Sequence, residues 1–293
     1  MQSVAKHSMK KKNNNVPLLL RATRWLFPKL ERWTPFLAQR IFRLVFYVPI
    51  KYRVPEKEKE AEKNASLFDI KVGEKKIQGY SWGDPAHPYV LVIHGWAGRA
   101  TQFRKFIKPL QEAGFRVVGF DGPAHGKSDG TKTSILEFET VLQKVFQQVG
   151  KPVALITHSF GGAVALYAAM HGLPIRKLIN IASPSVANEI LKTYLRAING
   201  SWQSAEKFKE FVIQKTGKTF EEFAALHAVQ HLPHPIDLLM VHDEEDQEVY
   251  MLHADELLKA YPSARLIKTS GLGHTRILKD EYVIQECVEF IMK

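Results

Sequence analysis

Ser159 is the residue whose setting most clearly offers chemistry, in the run Ala154-Leu-Ile-Thr-His-Ser-Phe-Gly-Gly162. A buried apolar strand there leads into a sharp turn and then an alanine-rich helix. In that setting a serine hydroxyl is held exposed, in a strained backbone conformation, as a nucleophile. Neighbours two residues away must be small so that strand and helix can pack closely. Gly161 meets the demand, whereas Thr157 stands where a glycine is usual. Taken alone, a serine ahead of two glycines is equally a helix start, its hydroxyl capping the first turn. Other reactive residue types read differently. His227, His231 and His234 invite a zinc reading by spacing, but neither H-E-x-x-H nor a cysteine pair accompanies them, so no metal site is expected. Cys287 shares a helical face with Val283, Ile284, Phe290 and Ile291 and reads as core.

A nucleophile on a turn needs a sheet beneath it. Residues 68–72 and 76–82 read as paired strands around Gly73, and 89–93 is a continuous apolar run of the kind buried on both faces of a parallel sheet. A helical stretch, 101–113, follows. Strand and helix then alternate through 115–120 and 133–148, 153–157 and 160–171, 236–241 and 250–260, and 264–268 and 280–291. The pattern predicts an α/β fold with a mostly parallel, twisted sheet and crossover helices. After the strand 178–181 comes a helical stretch of about fifty residues where the fold needs one helix, a typical place for a cap. Its aromatics Tyr194, Trp202, Phe208, Phe211, Phe220 and Phe223 would line an acyl pocket or form the cap's own packing core.

From about residue 67 to the C-terminus the chain resembles the α/β-hydrolase family. Val90-Leu-Val-Ile-His-Gly-Trp-Ala-Gly98 is similar to the family's strand and H-G-x oxyanion loop. Asp121-Gly-Pro-Ala-His-Gly-Lys-Ser128 resembles its D-x-P-G-x-G-x-S turn, with Ala124 replacing the first turn glycine. The serine motif is the third block; Val241-His-Asp-Glu-Glu-Asp246 and Gly271-Leu-Gly-His274 form the fourth. The resemblance implies Ser159 as nucleophile, His274 as general base and Asp246 as the acid that orients it, in the chain order serine, acid, histidine. Asp243 is the alternative acid, since four carboxylates crowd that loop. The backbone N–H groups of Trp96 and Phe160 take the places of the oxyanion hole. His94, Gly95, His158 and Gly161 would support these groups, with His94, His125 and His158 holding loops through local hydrogen bonds.

The chain has 293 residues, 45% of them apolar, enough for one large α/β domain with insertions. A single cysteine excludes an intramolecular disulfide framework and fits a reducing compartment, so a cytoplasmic location is expected. The net charge of +11 is uneven. Of 41 Lys/Arg and 30 Asp/Glu, residues 1–53 hold twelve and one, so the other 240 residues carry 29 of each. A nucleic-acid-binding body is therefore not indicated. No stretch approaches the roughly 20 apolar residues that span a bilayer. Arg21 and Arg24 interrupt the apolar run that follows Lys10–Lys12, so no cleaved signal is expected. Residues 1–15 read as a disordered polar tail, and 55–65 as a solvated mixed-charge linker or exposed helical turn.

The expected organisation is thus a basic, partly helical arm (1–63), a hydrolase core (64–184 and 235–293) and a helical cap (185–234). The arm would pack as extra helices on the body, contact an anionic membrane, or bind a partner chain. The expected activity is hydrolysis of a carboxylic ester or thioester of a small to medium, largely apolar substrate through an acyl-serine, without metal or organic cofactor. A catalytically silent binding module and a membrane-peripheral lipase are the alternatives.

Overall fold

Alternating burial within each central strand explains the architecture. In a computed structural model that describes residues 18–293, Leu91 and Ile93 point into one apolar cluster, whereas Val90 and Val92 point into another. Both faces of the sheet are therefore covered, as a parallel sheet requires. The polar tail expected at 1–15 lies outside the described residues.

The chain opens with α1 (Leu18–Trp33), α2 (Pro35–Tyr47) and α3 (Glu56–Lys63), then enters the sheet through β1 (Ser66–Val72), β2 (Lys75–Trp82) and β3 (Tyr89–Ile93). There follow α4 (Arg104–Glu112), β4 (Arg116–Phe120), α5 (Ile135–Val149), β5 (Ala154–His158), α6 (Phe160–Met170) and β6 (Lys177–Ile181). Helices α7 (Ala187–Ile198), α8 (Trp202–Thr216) and α9 (Ala225–Gln230) separate β6 from β7 (Asp237–Asp243). The chain ends with α10 (Leu252–Ala260), β8 (Arg265–Thr269), the single turn α11 (Gly273–Arg276) and α12 (Glu281–Met292). The strand order is β1-β2-β4-β3-β5-β6-β7-β8. Strands β1, β2 and β4 pair antiparallel, and every pairing from β4 through β8 is parallel. Helices α5, α6 and α9 cover one face, and α4 and α12 the other, with Cys287 buried among the latter.

A third apolar cluster joins the N-terminal helices to the segment between β6 and β7. Phe27, Ala38 and Phe42 bury themselves against Leu191, Leu195, Ile198, Phe208 and Phe220. Phe208 is the hub, with ring centroids 5.0 Å from Phe42, 4.6 Å from Phe46 and 5.9 Å from Phe220. The buried aromatics of this segment thus pack against the N-terminal helices rather than among themselves alone. The 55–65 stretch also departs from a solvated linker. It forms α3, and Glu58 is buried between Arg99 at 3.2 Å and Arg104 at 3.8 Å, while also accepting from Thr101 Oγ1 at 3.2 Å. A run of mixed charge looks alike whether its carboxylates face water or a cation forty residues downstream.

Candidate active site

Ser159 ends β5 and starts α6, with φ +51° and ψ −124°, a conformation few non-glycine residues adopt. The close approach of strand and helix depends on Gly161 and Gly162. A Cβ at Gly161 would lie 2.5 Å from the Ile93 carbonyl oxygen, and one at Gly162 1.8 Å from Asn180 Oδ1. Thr157 fits where a glycine is usual because its hydroxyl donates to the Ile179 carbonyl at 3.0 Å on the adjacent strand. The Ser159 N–H is anchored to the Ile181 carbonyl at 2.9 Å.

Beside this turn lies the loop after β3. Gly95 approaches so closely that a Cβ there would stand 2.8 Å from Ser159 Cβ. The Trp96 and Phe160 rings meet edge to face at 5.4 Å, so the two residues with the expected oxyanion N–H groups are neighbours. As the first residue of α6, Phe160 has a backbone N–H without an intrahelical acceptor. Two buried imidazoles pin the loop. His94 donates from Nδ1 to the Gly95 carbonyl (2.7 Å) and accepts the Gly122 N–H at Nε2 (2.8 Å); the latter contact requires that nitrogen to be bare. His125 accepts the Ala97 N–H at Nε2 (3.0 Å) and donates to the Pro123 carbonyl (2.9 Å). Burial lowers His94 to about 4 and His125 to about 3, so both stay neutral acceptors at physiological pH. Asp121 braces the same loops, accepting from the Ala100 and Lys127 N–H groups and from Tyr80 Oη, each at 2.9 Å.

The late loops supply the acid and the histidine. Asp246 Oδ2 accepts from His274 Nδ1 at 2.7 Å, which leaves Nε2 as the basic nitrogen of the neutral ring. Asp246 Oδ1 accepts the N–H groups of Glu248 and Val249 at 2.8 and 2.9 Å. Burial alone would raise the Asp246 carboxyl, but the His274 and backbone hydrogen bonds outweigh it and hold the pKa below its ordinary value. Asp243 does not reach the His274 ring. Its carboxylate accepts from Thr269 Oγ1 (2.8 Å), Leu272 N–H (3.0 Å), Gly273 N–H (2.9 Å) and Glu245 N–H (3.1 Å), which ties down the residues just before His274. On the other side, His158 Nε2 donates to the His274 carbonyl at 2.8 Å; burial depresses that imidazole to about 3. The structure therefore brings Asp246, His274 and His158 into one chain of contacts that ends next to Ser159. Among the described residues no hydrogen bond joins Ser159 to His274; such contacts commonly tighten only with substrate.

Sequence reasoning assigned nothing to His242 and His253. His242 Nε2 donates to the Val249 carbonyl at 2.7 Å, closing the Asp246 loop. His253 Nδ1 accepts the N–H groups of Ser185 and Val186, both at 3.0 Å, and so fixes the exit from β6. His242 lies within the block Val241–Asp246, where the carboxylates alone drew a role, and His253 falls in no recognisable motif, so no sequence signal marked it.

The family model of the alpha/beta hydrolase fold matches residues 88–288, from β3 to α12. The chain belongs to the α/β hydrolase fold family. Over 98 residues this α/β hydrolase is 35% identical to the magnesium-chelatase 30 kDa subunit of Rhodobacter capsulatus, a match covering 32% of this chain and 34% of that protein. Over 88 residues it is 28% identical to the monoglyceride lipase of Homo sapiens, covering 27% of this chain and 29% of that one. The matched segments thus span about a third of these curated relatives. A solved esterase of Pyrococcus furiosus shares the fold with a TM-score of 0.63 at 20% identity, across 84% of this chain and 98% of that one.

Proposed function

We propose that this α/β hydrolase cleaves a carboxylic ester, or a thioester, of a small to medium and largely apolar substrate through an acyl-serine intermediate. The observation that carries this reading is the 2.7 Å Asp246–His274 pair, held beside a serine in a strained strand-to-helix turn. Ser159 Oγ attacks the carbonyl carbon as His274 Nε2 takes its proton. The oxyanion accepts the N–H groups of Trp96 and Phe160. Collapse expels the alcohol or thiol, which receives the proton from His274; a water activated by the same nitrogen then hydrolyses the acyl-serine. Asp246 keeps Nδ1 protonated and stabilises the imidazolium. Asp243 and His158 position His274, and His94, Gly95 and Gly161 position the oxyanion loop and the serine. No cofactor enters this sequence. Residues 185–234 serve as a cap over the carboxyl end of the sheet. The names of the human lipase and the Pyrococcus esterase support an ester as substrate.

The test is turnover of p-nitrophenyl acetate, butyrate and octanoate by the wild type and by Ser159→Ala, both shown folded by circular dichroism. The wild type should turn over, and the variant should lose at least about a thousandfold in rate. Folded wild type without turnover, or a variant as active as the wild type, would overturn the reading.

A further inference from the structure

The outward face of the N-terminal hairpin has no part in the reaction proposed above. We propose that α1 and α2 form a docking surface for an anionic lipid bilayer, lying at headgroup depth. No described helix is long and apolar enough to cross a membrane.

The rotation of the hairpin is fixed from inside. Phe27, Ala38 and Phe42 are buried in the cluster with α7 and α8. Arg24 donates to the last carbonyls of α7, to Ala197 at 3.0 Å and Arg196 at 3.3 Å. Glu31 accepts from the Ser201 N–H at 2.9 Å and from the Ser204 hydroxyl, at the start of α8. These contacts set a cation at one helix's C-terminus and an anion at the next one's N-terminus, each favourable to the helix dipole.

With that face fixed, Trp25, Trp33 and Phe36 point outward, 67%, 74% and 71% exposed, with Leu26, Leu37 and Leu44 beside them. Cations are interleaved with them. Lys29 Nζ lies 3.1 Å from the Trp25 ring centroid, the Arg32 guanidinium is 5.1 Å from that of Trp33, and Arg40 is exposed on α2. Glu31 is the sole acid in residues 1–53, against twelve Lys/Arg, and it is spent on α8. Amphipathic aromatics among cations suit the boundary between headgroups and acyl chains, and the cations select anionic lipid. A nucleic acid would use the cations but leave Leu26, Leu37 and Leu44 in water. The surface stands whether or not the ester-hydrolase reading holds.

The test is flotation of the full chain with liposomes of phosphatidylcholine alone or with about 30% phosphatidylglycerol, at roughly physiological salt where screening acts within about 8 Å. Wild type should float with the anionic vesicles only. Replacing Lys29, Arg32 and Arg40 by Gln should lower the partition about a hundredfold, near fivefold per charge. Replacing Trp25, Trp33 and Phe36 by Ser should abolish flotation while leaving the circular dichroism spectrum and thermal midpoint unchanged. Failure of wild type to float overturns the proposal, as does undiminished flotation of the aromatic variant. Duplex oligonucleotide binding tighter than vesicle binding, or a concentration-dependent dimer lost in the aromatic variant, reassigns the face and overturns it too.

Discussion

Asp243 and Asp246 are three residues apart, and only their hydrogen bonds separate their roles. Asp246 meets the His274 ring; Asp243 spends its oxygens on the backbone just before that residue. Asp246→Asn should keep the fold and cut kcat by about ten-thousandfold, because an amide no longer selects the Nδ1–H tautomer. Asp243→Asn should instead destabilise by about 1–3 kcal/mol, since it gives up a charged acceptor for several donors, with a smaller loss of kcat. Steady-state kinetics and urea unfolding of the two variants distinguish these outcomes; equal kcat losses would contradict the assignment. In sequence the acid loop offered four carboxylates and no geometry, so it could rank Asp246 above Asp243 only by family likeness. Ser159 was more legible, since a buried run, a serine and two glycines constrain the backbone directly.

At the scale of elements, the β5–α6 junction carries the tightest packing demand. Gly161 and Gly162 leave no room for a Cβ against Ile93 and Asn180. Gly162→Ala should therefore cost at least about 1–3 kcal/mol and reduce activity, because α6 must shift away from β6. Denaturant midpoints and turnover of that variant check this; an unchanged midpoint would show that the junction is looser than described. The mostly parallel sheet was readable in the apolar runs, since a run such as 89–93 is buried on both faces and needs helices on each side, whereas the strand order, in which β4 lies between β2 and β3, left no local signal. The N-terminal helices were less readable. Phe27 and Phe42 pack on residues more than a hundred positions later, and no local period records such a partner. Glu58 in α3 is hidden for the same reason, as Arg99 and Arg104 lie in another element.

For the whole molecule, neutral buried histidines set the response to acid. His94 and His253 are lowered to about 4, and His125 and His158 to about 3, from an ordinary 6.5, in each case chiefly by burial. The unfolded chain therefore binds protons first as pH falls. Stability is fully present above about 6.5 and is lost as pH drops towards 4, by about 1.4 kcal/mol per histidine for each pH unit. Urea unfolding at pH 7.5, 6.5 and 5.5 should show little change over the first interval and a steep loss over the second; a flat profile would contradict the neutral, buried assignment. The charge of the molecule was legible as an asymmetry between residues 1–53 and the rest, but the face it occupies needed the fold. The most direct test of the central claim is peptide mapping by mass spectrometry after reaction of the folded protein with a fluorophosphonate. A single adduct on Ser159, absent in Ser159→Ala and strongly slowed in His274→Ala, is the expected result. No adduct, or one on another residue at an undiminished rate in Ser159→Ala, would contradict a nucleophilic Ser159.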